Sequence, residues 1–365
     1  MARLGDYVRI RTGKLDANAS SANGQYPFFT CAVEPLRIDG YSYDCECVLV
    51  AGNGDLNVKY YDGKFDAYQR TYIIESLDKT VLTVPYLYRF LDKYVETLRQ
   101  QAIGGVIKYI KLGNLTEAEI PIPSVAEQNE IVIKLNKVNE LITLRKEQLV
   151  NLDQLVKSRF IELFGDPVIN SKGWPVCELS EYIQFLTSGS RGWAQYFTES
   201  GEYFITIKNV KNCRITLDDV QHVVPPDNAE AKRTRVHEGD LLISITADLG
   251  RTGVVTKEIA DYGGYINQHL TCIRLNKDAV RPLYVAYYME SEAGKSQFQA
   301  KNQSAVKAGL NFNSINSLKL MVPPIELQEA FITFVEQTDK SKLAIQQSLD
   351  KLELLKKSLM QEYFG

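Results

Sequence analysis

The chain of 365 residues repeats itself at an offset of 200 residues. Residues 123–165 align without gaps with residues 323–365, and ten of the 43 aligned pairs are identical. Average composition would produce roughly two or three identities in such a window. Both copies begin at a proline and end in Phe-Gly, and no other glycine interrupts either copy. A segment that recurs in this way restricts the chain to a fold built from two similar units.

Each copy of the repeat is predicted to form one long helix. Pro123 and Pro323 precede the helices, and apolar residues then recur at alternating steps of three and four. About 39 helical residues would span about 58 Å, and a helix of that length cannot bury its apolar stripe alone. We expect the two helices to pair as an antiparallel coiled coil, with packing against unrelated domains as the alternative. The seam residues are Leu135, Val138, Ile142, Leu149, Leu152, Val335, Ile345, Leu349, Leu352 and Leu359.

Two segments of domain size remain, and a weaker repeat connects them. Residues 11–14 correspond to 187–191, and residues 67–70 correspond to 266–269. The strand-like runs are short, β-branched and bounded by Gly, Asn and Asp. The predicted fold class is therefore α+β, with two domains alternating with two long helices in a pseudo-twofold arrangement. The predicted boundaries are 1–122, 123–165, 166–322 and 323–365.

Composition and charge narrow the class of protein. Hydrophobic residues make up 45% and charged residues 24%, which is globular usage and excludes a disordered or fibrous chain. No run approaches the ~20 apolar residues of a membrane span and no signal-peptide core is present, so we expect a cytoplasmic protein with reduced thiols. The net charge is −3, so any nucleic-acid surface must come from local basic clusters.

Motifs that would indicate catalysis are weak. The three histidines all lie in the second domain segment, so the first copy lacks a base of that kind. Cys45-Glu46-Cys47 has no second pair at zinc spacing, and the Gly-Asn-Gly at 52–54 lacks the frame of a nucleotide-binding loop. A duplicated architecture whose copies share no reactive residue favours binding over chemistry. We therefore expect neither a metal site nor a catalytic residue in this chain.

The architecture and several strings resemble the specificity (S) subunit of type I restriction–modification systems. The strings are Ile-Pro-Ile-Pro at 120–123 with Glu127-Gln128, and Phe-Ile-Glu-Leu-Phe-Gly-Asp-Pro at 160–167, with counterparts at 322–328 and 358–365. The resemblance covers essentially the whole chain. It departs where Leu327 replaces the Glu of the Glu-Gln pair, and where the first domain lacks the Gly-Trp-Pro found at 173–175.

The resemblance implies a subunit without catalytic activity or a cofactor of its own. Its two target-recognition domains would each read one half of a split, asymmetric double-stranded DNA site, and the paired helices would set the spacing. Two modification (methyltransferase) subunits would dock on the helices and methylate one adenine per half-site with S-adenosylmethionine. Two restriction (motor-nuclease) subunits, which use ATP and Mg²⁺, would complete the endonuclease.

Three other readings remain open at this point. The first is a scaffold whose helices mediate assembly and whose domains bind proteins. The second is an enzyme, such as a nuclease or a fused methyltransferase. The third is the recognition subunit of a related restriction system that is not type I.

Reading bases in the major groove needs side chains with paired donors and acceptors. Loop residues of that type at corresponding places in the two domains are the candidate DNA contacts. Gly13 and Gly189 are expected to permit the turns that carry them. The candidates are Arg11, Thr12, Lys14, Lys59, Lys64, Gln69 and Arg70 in the first domain, and Ser188, Ser190, Arg191, Lys208, Asn209, Arg251, Gln268, His269 and Lys307 in the second.

Overall fold

The computed structural model describes residues 1–302 and 309–365. These residues divide into two compact units, and each unit contains a part of both long helices. The first unit comprises Met1–Leu149 and Ala344–Gly365, and the second is Val150–Leu343. The first unit is therefore discontinuous in sequence, because the last part of the second long helix completes it, whereas the second unit is one continuous segment that begins within the first long helix.

The first unit combines a mostly antiparallel sheet with helices. Its elements before the first long helix are β1 (Ala2–Arg3), β2 (Val8–Thr12), β3 (Tyr26–Phe29), β4 (Leu36–Ile38), β5 (Tyr43–Ala51), β6 (Val58–Ala67), β7 (Thr71–Ser76), α1 (Val84–Gln101), α2 (Leu112–Thr116) and β8 (Glu119–Ile120). Six strands form one sheet in the order β2-β7-β5-β6-β3-β4, in which only β3 and β6 run parallel. The strands β1 and β8 form a separate antiparallel pair.

The central strand β5 shows why this sheet is buried on both faces. Val48 and Val50 belong to an apolar cluster that includes Leu87 of α1. Cys47 and Leu49 belong to a second cluster. Successive strand residues point to opposite faces, so a strand covered on both sides carries a continuous apolar run. The run from 47 to 51 is of that kind.

The second unit repeats the α+β composition with smaller sheets. Between the long helices it contains β9 (Val176–Glu178), β10 (Ile183–Ser188), β11 (Phe197–Thr198), β12 (Glu202–Ile205), β13 (Val210–Lys211), β14 (Arg214–Ile215), β15 (Gln221–Val223), α4 (Ala229–Thr234), β16 (Leu241–Ser244), β17 (Thr252–Val254), α5 (Lys257–Tyr262), β18 (Gly264–Ile266), β19 (Leu270–Leu275), α6 (Pro282–Glu290), α7 (Glu292–Lys301), α8 (Phe312–Asn316) and β20 (Lys319–Met321). The sheet orders are β10-β19-β16-β17, β11-β15-β12-β18, β13-β14 and β20-β9.

The two long helices are α3 (Val125–Phe164) and α9 (Ile325–Phe364), each of 40 residues. In the first unit they pack through Val138 and Ile142 of α3 and Leu349 of α9. Lys146 Nζ lies 3.1 Å from a carboxylate oxygen of Glu353, while Leu135, earlier on α3, belongs to the same apolar cluster as Met360, later on α9. The helices are therefore antiparallel.

In the second unit, aromatic side chains pack the other ends of the same two helices against each other. Phe160 and Phe164 of α3 pack edge-on against Phe331 of α9, with ring centroids 5.4 Å and 5.5 Å away. Lys342 donates to Asp153 at 2.5 Å across the pair. The predicted α+β class and the pairing of the long helices are confirmed.

The seam residues differ in how deeply they are buried. Leu135 is fully buried in the core of the first unit, and Val335 is fully buried in the core of the second. The buried members of the seam are Leu135, Val138, Ile142, Val335 and Leu349, and the half-buried members are Leu149, Leu152, Ile345, Leu352 and Leu359.

The identical pair Gln128 and Gln328 in the sequence repeat has one structural role. Each amide is fully buried, and each Nε2 donates to the carbonyl of the proline five residues earlier at 2.9 Å. Each Oε1 accepts the backbone N–H of the residue that caps a tyrosine-rich helix, Thr83 before α1 and Arg281 before α6, again at 2.9 Å. The glutamine thus attaches each long helix to the domain that precedes it.

The first turn of α3 also explains why the second copy of the repeat has Leu327 where the first has Glu127. The Glu127 carboxylate accepts hydrogen bonds from the backbone N–H and hydroxyl of Ser124, which form a capping box. These bonds lower the pKa of Glu127. In the second copy a proline, Pro324, stands in place of Ser124, and a proline has no N–H to offer a carboxylate.

Candidate nucleic-acid interface

In the first unit, two loops that are far apart in sequence pair through their backbones. The Gly13 N–H donates to the carbonyl of Thr71 at 3.1 Å, and the Gln69 N–H donates to the carbonyl of Leu15 at 2.9 Å. A third segment joins them, since the Gly52 N–H donates to the carbonyl of Arg70 at 2.8 Å. These three segments form what we call the first loop cluster, residues 11–15, 52–54 and 68–70.

The second unit contains the same arrangement. The Gly189 N–H donates to the carbonyl of Leu270 at 3.1 Å, and the Gln268 N–H donates to the carbonyl of Ser190 at 3.0 Å. A third segment is again bonded to this pair, since the Ile245 N–H donates to the carbonyl of His269 at 3.0 Å. We call residues 187–191, 244–251 and 267–269 the second loop cluster. The weak sequence repeat between the domains therefore corresponds to equivalent loop pairings.

The two glycines are needed for close approach of the backbones. A Cβ on Gly13 would lie 2.1 Å from the carbonyl oxygen of Ala67, and one on Gly189 would lie 2.1 Å from that of Asn267. Contacts of that length do not occur between such atoms, so any side chain would separate the loops. The glycine requirement here is one of space and not of a positive φ.

Among the first-domain candidates, the loop cluster contains Arg11, Thr12, Lys14, Gln69 and Arg70, all exposed. Arg11 is paired with Glu75 and lies over the Tyr43 ring, and Gln69 Nε2 donates to Asp16 Oδ1 at 2.7 Å. These contacts hold the two side chains in place while leaving them at the surface.

The remaining first-domain candidates, Lys59 and Lys64, lie on β6 outside the loop cluster. Lys59 is half-buried and bonded to Asn57, and this burial lowers its pKa. Lys64 is exposed and lies 4.7 Å from the centroid of the Tyr41 ring, and its hydrogen bond with Tyr41 raises its pKa.

In the second unit the loop cluster contains Ser188, Ser190, Arg191, Arg251, Gln268 and His269. The imidazole of His269 is held by the Thr246 hydroxyl at 2.8 Å and by Gln268 Nε2 at 3.1 Å. Arg191 is exposed on the turn after Ser190, and Arg251 pairs with Asp248 at 2.5 Å. Lys307 lies outside the described residues.

Two second-domain candidates are buried and cannot reach DNA in this conformation. Ser190 is inaccessible and its hydroxyl bonds that of Thr234 at 3.1 Å. Asn209 accepts the Thr206 N–H at 3.0 Å and donates to the Thr216 carbonyl at 3.1 Å, so its amide closes a turn. Both expectations are corrected for that reason, while the neighbouring Lys208 is exposed.

Arg233, which lies next to the second loop cluster, is not among the DNA contacts predicted from the sequence. Arg233 of α4 is exposed, and its guanidinium donates to the carbonyl of Ser188 at 3.0 Å and to the hydroxyl of Thr187. The sequence shows it only as one member of the basic run 232–235. Its proximity to the loop depends on a contact across 45 positions.

The second unit also has a polar cleft of about 500 Å³ next to Arg251. Its cations are Lys211, Arg251 and Lys295, and its carboxylates are Asp248 and Glu290. The Glu290 carboxylate accepts hydrogen bonds from the backbone N–H and the hydroxyl of Thr252, both at 2.9 Å. The side chains that remain to meet a ligand there are predominantly cationic.

Within the described residues, no group of His, Cys, Asp and Glu side chains has the geometry of a metal site. The six cysteines are all free thiols. Among the helices that the structure describes, none combines the length and apolar character needed to cross a membrane. The two loop clusters, with their amides and cations, are polar surfaces that both units have.

Two α+β domains that each carry an equivalent polar loop cluster and pack against long paired helices define a class of duplicated two-domain proteins. Sequence comparison identifies the family. The model described as "Type I restriction modification DNA specificity domain" matches residues 1–154 and 172–355. The chain therefore belongs to the type I restriction–modification specificity family, whose members are non-catalytic and bind no cofactor themselves.

Individual relatives agree with this assignment. The chain is 39% identical over 154 residues to the EcoDI specificity subunit of Escherichia coli, a match that covers 42% of this chain and 34% of that subunit. It is 18% identical over 388 residues to the EcoBI specificity subunit of the same species, covering 98% of this chain and 78% of that subunit. The stronger match thus spans about a third of the length of its relative.

Solved structures share the fold. The S subunit of a type I system from M. genitalium superposes with a TM-score of 0.63 at 16% identity, covering 100% of this chain and 95% of that one. A chain from a study of assembly and conformational transition of the type I system superposes with a TM-score of 0.61 at 18% identity, covering 100% and 96%.

Proposed function

We propose that this chain reads a bipartite, asymmetric double-stranded DNA site, one half with each loop cluster. The observation that carries the proposal is the repetition of the same glycine-dependent loop pairing in both units of a specificity-family protein. Each cluster displays the residue types that read base edges, including Gln69 and Arg70 in one and Gln268 and Arg191 in the other. Phosphate contacts would come from nearby cations such as Lys14, Lys208 and Arg233.

The same proposal includes partner subunits. The chain carries a net charge of −3, so it has little of the counterion-release footprint of a protein that holds DNA alone. We therefore propose that it acts in a complex with modification subunits docked on α3 and α9, which supply S-adenosylmethionine chemistry and help to hold DNA. Restriction subunits, with ATP and Mg²⁺, would complete the endonuclease, and the cytoplasm is where this assembly meets its DNA.

The test is methylation and binding by the assembled complex. The chain is combined with its modification subunit, and adenine methylation of a genome is mapped with and without it. We expect methylation confined to one split sequence, and a mobility shift of that DNA that weakens steeply with salt. Methylation without sequence preference, or assembly with the partner and no DNA shift at any salt, would instead support the scaffold reading.

A further inference from the structure

A hairpin with an apolar tip lies beside the first loop cluster. Ile103 and Tyr109 exchange backbone hydrogen bonds at 3.0 Å and 2.9 Å, closing a loop over residues 104–108. Gly104 has φ +120°, and a Cβ there would lie 2.5 Å from the carbonyl oxygen of Ile107. The backbone geometry of this turn therefore requires glycine at that position.

The tip of this hairpin exposes two β-branched apolar side chains. Val106 is fully exposed and Ile107 is 61% exposed, and Ile103 and Tyr109 at its base are also exposed. Single exposed apolar residues are common, but a contiguous set on a closed hairpin is typical of an interaction surface.

The hairpin is connected to the loop cluster by a ladder of backbone bonds. Gly54 N–H donates to the carbonyl of Lys108 at 2.9 Å, and Ile110 N–H donates to the carbonyl of Gly52 at 2.9 Å. Gly52 in turn bonds Arg70. The apolar tip is thus attached to the same surface that carries the candidate base-reading side chains.

We propose that Val106 and Ile107 form an apolar contact with the bases of one half-site, and that Lys108 contacts a neighbouring phosphate. The proposal rests on the proposed function and extends it to apolar residues, which cannot be selected as base readers by their hydrogen-bonding groups. Aliphatic side chains contact DNA through thymine methyl groups or by wedging against a base step.

The charges near the hairpin favour DNA over a protein partner. Lys108 and Lys111 are exposed on either side of Tyr109, and the adjoining cluster adds the exposed cations Lys14 and Arg70. The carboxylate of the 52–55 turn, that of Asp55, lies 3.5 Å from the guanidinium of Arg99, which also pairs with Glu96. An apolar tip within a cationic surround complements bases flanked by phosphates.

The sequence of the second domain differs at the same place. At the 200-residue offset, Val106 corresponds to Val306, Ile107 to Lys307 and Lys108 to Ala308. The Ile110 contact has its equivalent in the Leu310 N–H, which donates to the carbonyl of Ile245 at 2.9 Å. Only the first domain therefore has an apolar residue at both positions, and we expect the effect of the pair to be confined to one half-site.

The test uses the full chain assembled with its modification subunit and a DNA carrying its methylated site. In the V106S/I107S double variant, we expect affinity for that site to fall about tenfold or more, with an unchanged slope of log affinity against log salt. The Lys108→Ala variant should instead reduce that slope by about one. The V106I/I107V variant, which keeps both side chains apolar, should bind like the wild type.

Leu77→Ser is the matched control, because Leu77 is 59% exposed and follows the opposite end of β7 from the loop cluster. It should leave affinity unchanged. Equal DNA affinity of the V106S/I107S variant and the wild type would overturn the hairpin proposal. The proposal would also fail if the variant assembled poorly with the modification subunit but the complexes that did form bound DNA as tightly as the wild type. A wild-type complex without sequence-specific binding would contradict the proposed function itself, which is a separate result.

Discussion

At the scale of single residues, a few positions fix the backbone of the loop clusters and the starts of the long helices. Gly13 and Gly189 allow two backbones to meet, and Gln128 and Gln328 satisfy buried backbone groups at the start of the long helices. Identity between the repeats at the glutamines reflects this structural role. It carries no information about which DNA is read.

Replacing Gly13 by alanine should disrupt the first loop cluster. The added Cβ would lie 2.1 Å from a backbone oxygen, so the loops must separate and the bonds made by Gly13 and Gln69 are lost. We expect DNA affinity to fall at least tenfold, with a loss of stability of about 1–3 kcal/mol. Binding and thermal unfolding measure both effects. Gly40→Ala is the control, since no atom lies within 4 Å of its Cβ position, and it should change neither quantity.

Replacing Gln328 by leucine should destabilise the second unit. The leucine cannot bond the Arg281 N–H or the Pro323 carbonyl, which would stay buried without partners. We expect a loss of about 2–4 kcal/mol in the free energy of unfolding, measured by denaturant titration. Gln154→Leu, at an exposed position of α3, should change it by less than about 0.5 kcal/mol. An equal effect of the two variants would argue against the anchoring role.

At the scale of elements, the long helices pair through a narrow seam and leave other apolar residues in solvent. In the first unit Leu349 is buried against Val138 and Ile142, whereas Leu354, five residues later on α9, is 67% exposed. The 3-4 spacing predicts which face of each helix meets its partner. It does not predict how deeply each position is covered, since Leu152 and Ile345 belong to the seam and are only half-buried.

Leu349→Ala should therefore weaken helix pairing more than Leu354→Ala. Removing a buried leucine side chain leaves a cavity and costs about 2–5 kcal/mol, whereas truncating an exposed one costs little. Chemical denaturation of the full chain compares the two variants directly. Similar losses in both would show that α3 and α9 do not depend on this contact.

At the scale of the whole molecule, each of the two units contains a complete loop cluster, so the proposed DNA recognition would be divided between them. The equivalent backbone bonds of Gly13 and Gly189 occur within their own units. A substitution in one cluster should for that reason alter the reading of one half-site and leave the other intact.

Arg191→Ala tests this division. Arg191 is exposed beside the Gly189 turn, so its loss should weaken binding or relax base preference at the half-site read by the second unit. We expect about a tenfold to hundredfold effect if it makes a bidentate base contact. Competition with DNA variants altered in one half-site or the other locates the change. Unaltered binding across that matched set would contradict this assignment of Arg191.

The sequence alone determined the features that depend on local pattern. The 200-residue repeat, the 3-4 spacing of apolar residues and the paired glycines predicted two long helices and two equivalent loops, because helical periodicity and glycine placement act over a few neighbouring residues. Only the tertiary structure decided which loop side chains are accessible. Ser190 and Asn209 have the residue types of base readers but are consumed by bonds to Thr234 and Thr206.

Contacts across long stretches of sequence account for the rest. Arg233 reaches Ser188 from a separate helix, and the hairpin tip at Val106 lies beside the first cluster through bonds to residues 52–54. Neither position could be chosen as a DNA-contact candidate from the sequence around it, because a basic run or an apolar pair also occurs on protein surfaces that bind nothing. Exposure and proximity are set by backbone pairing between segments that are distant in the chain, which local sequence patterns do not encode.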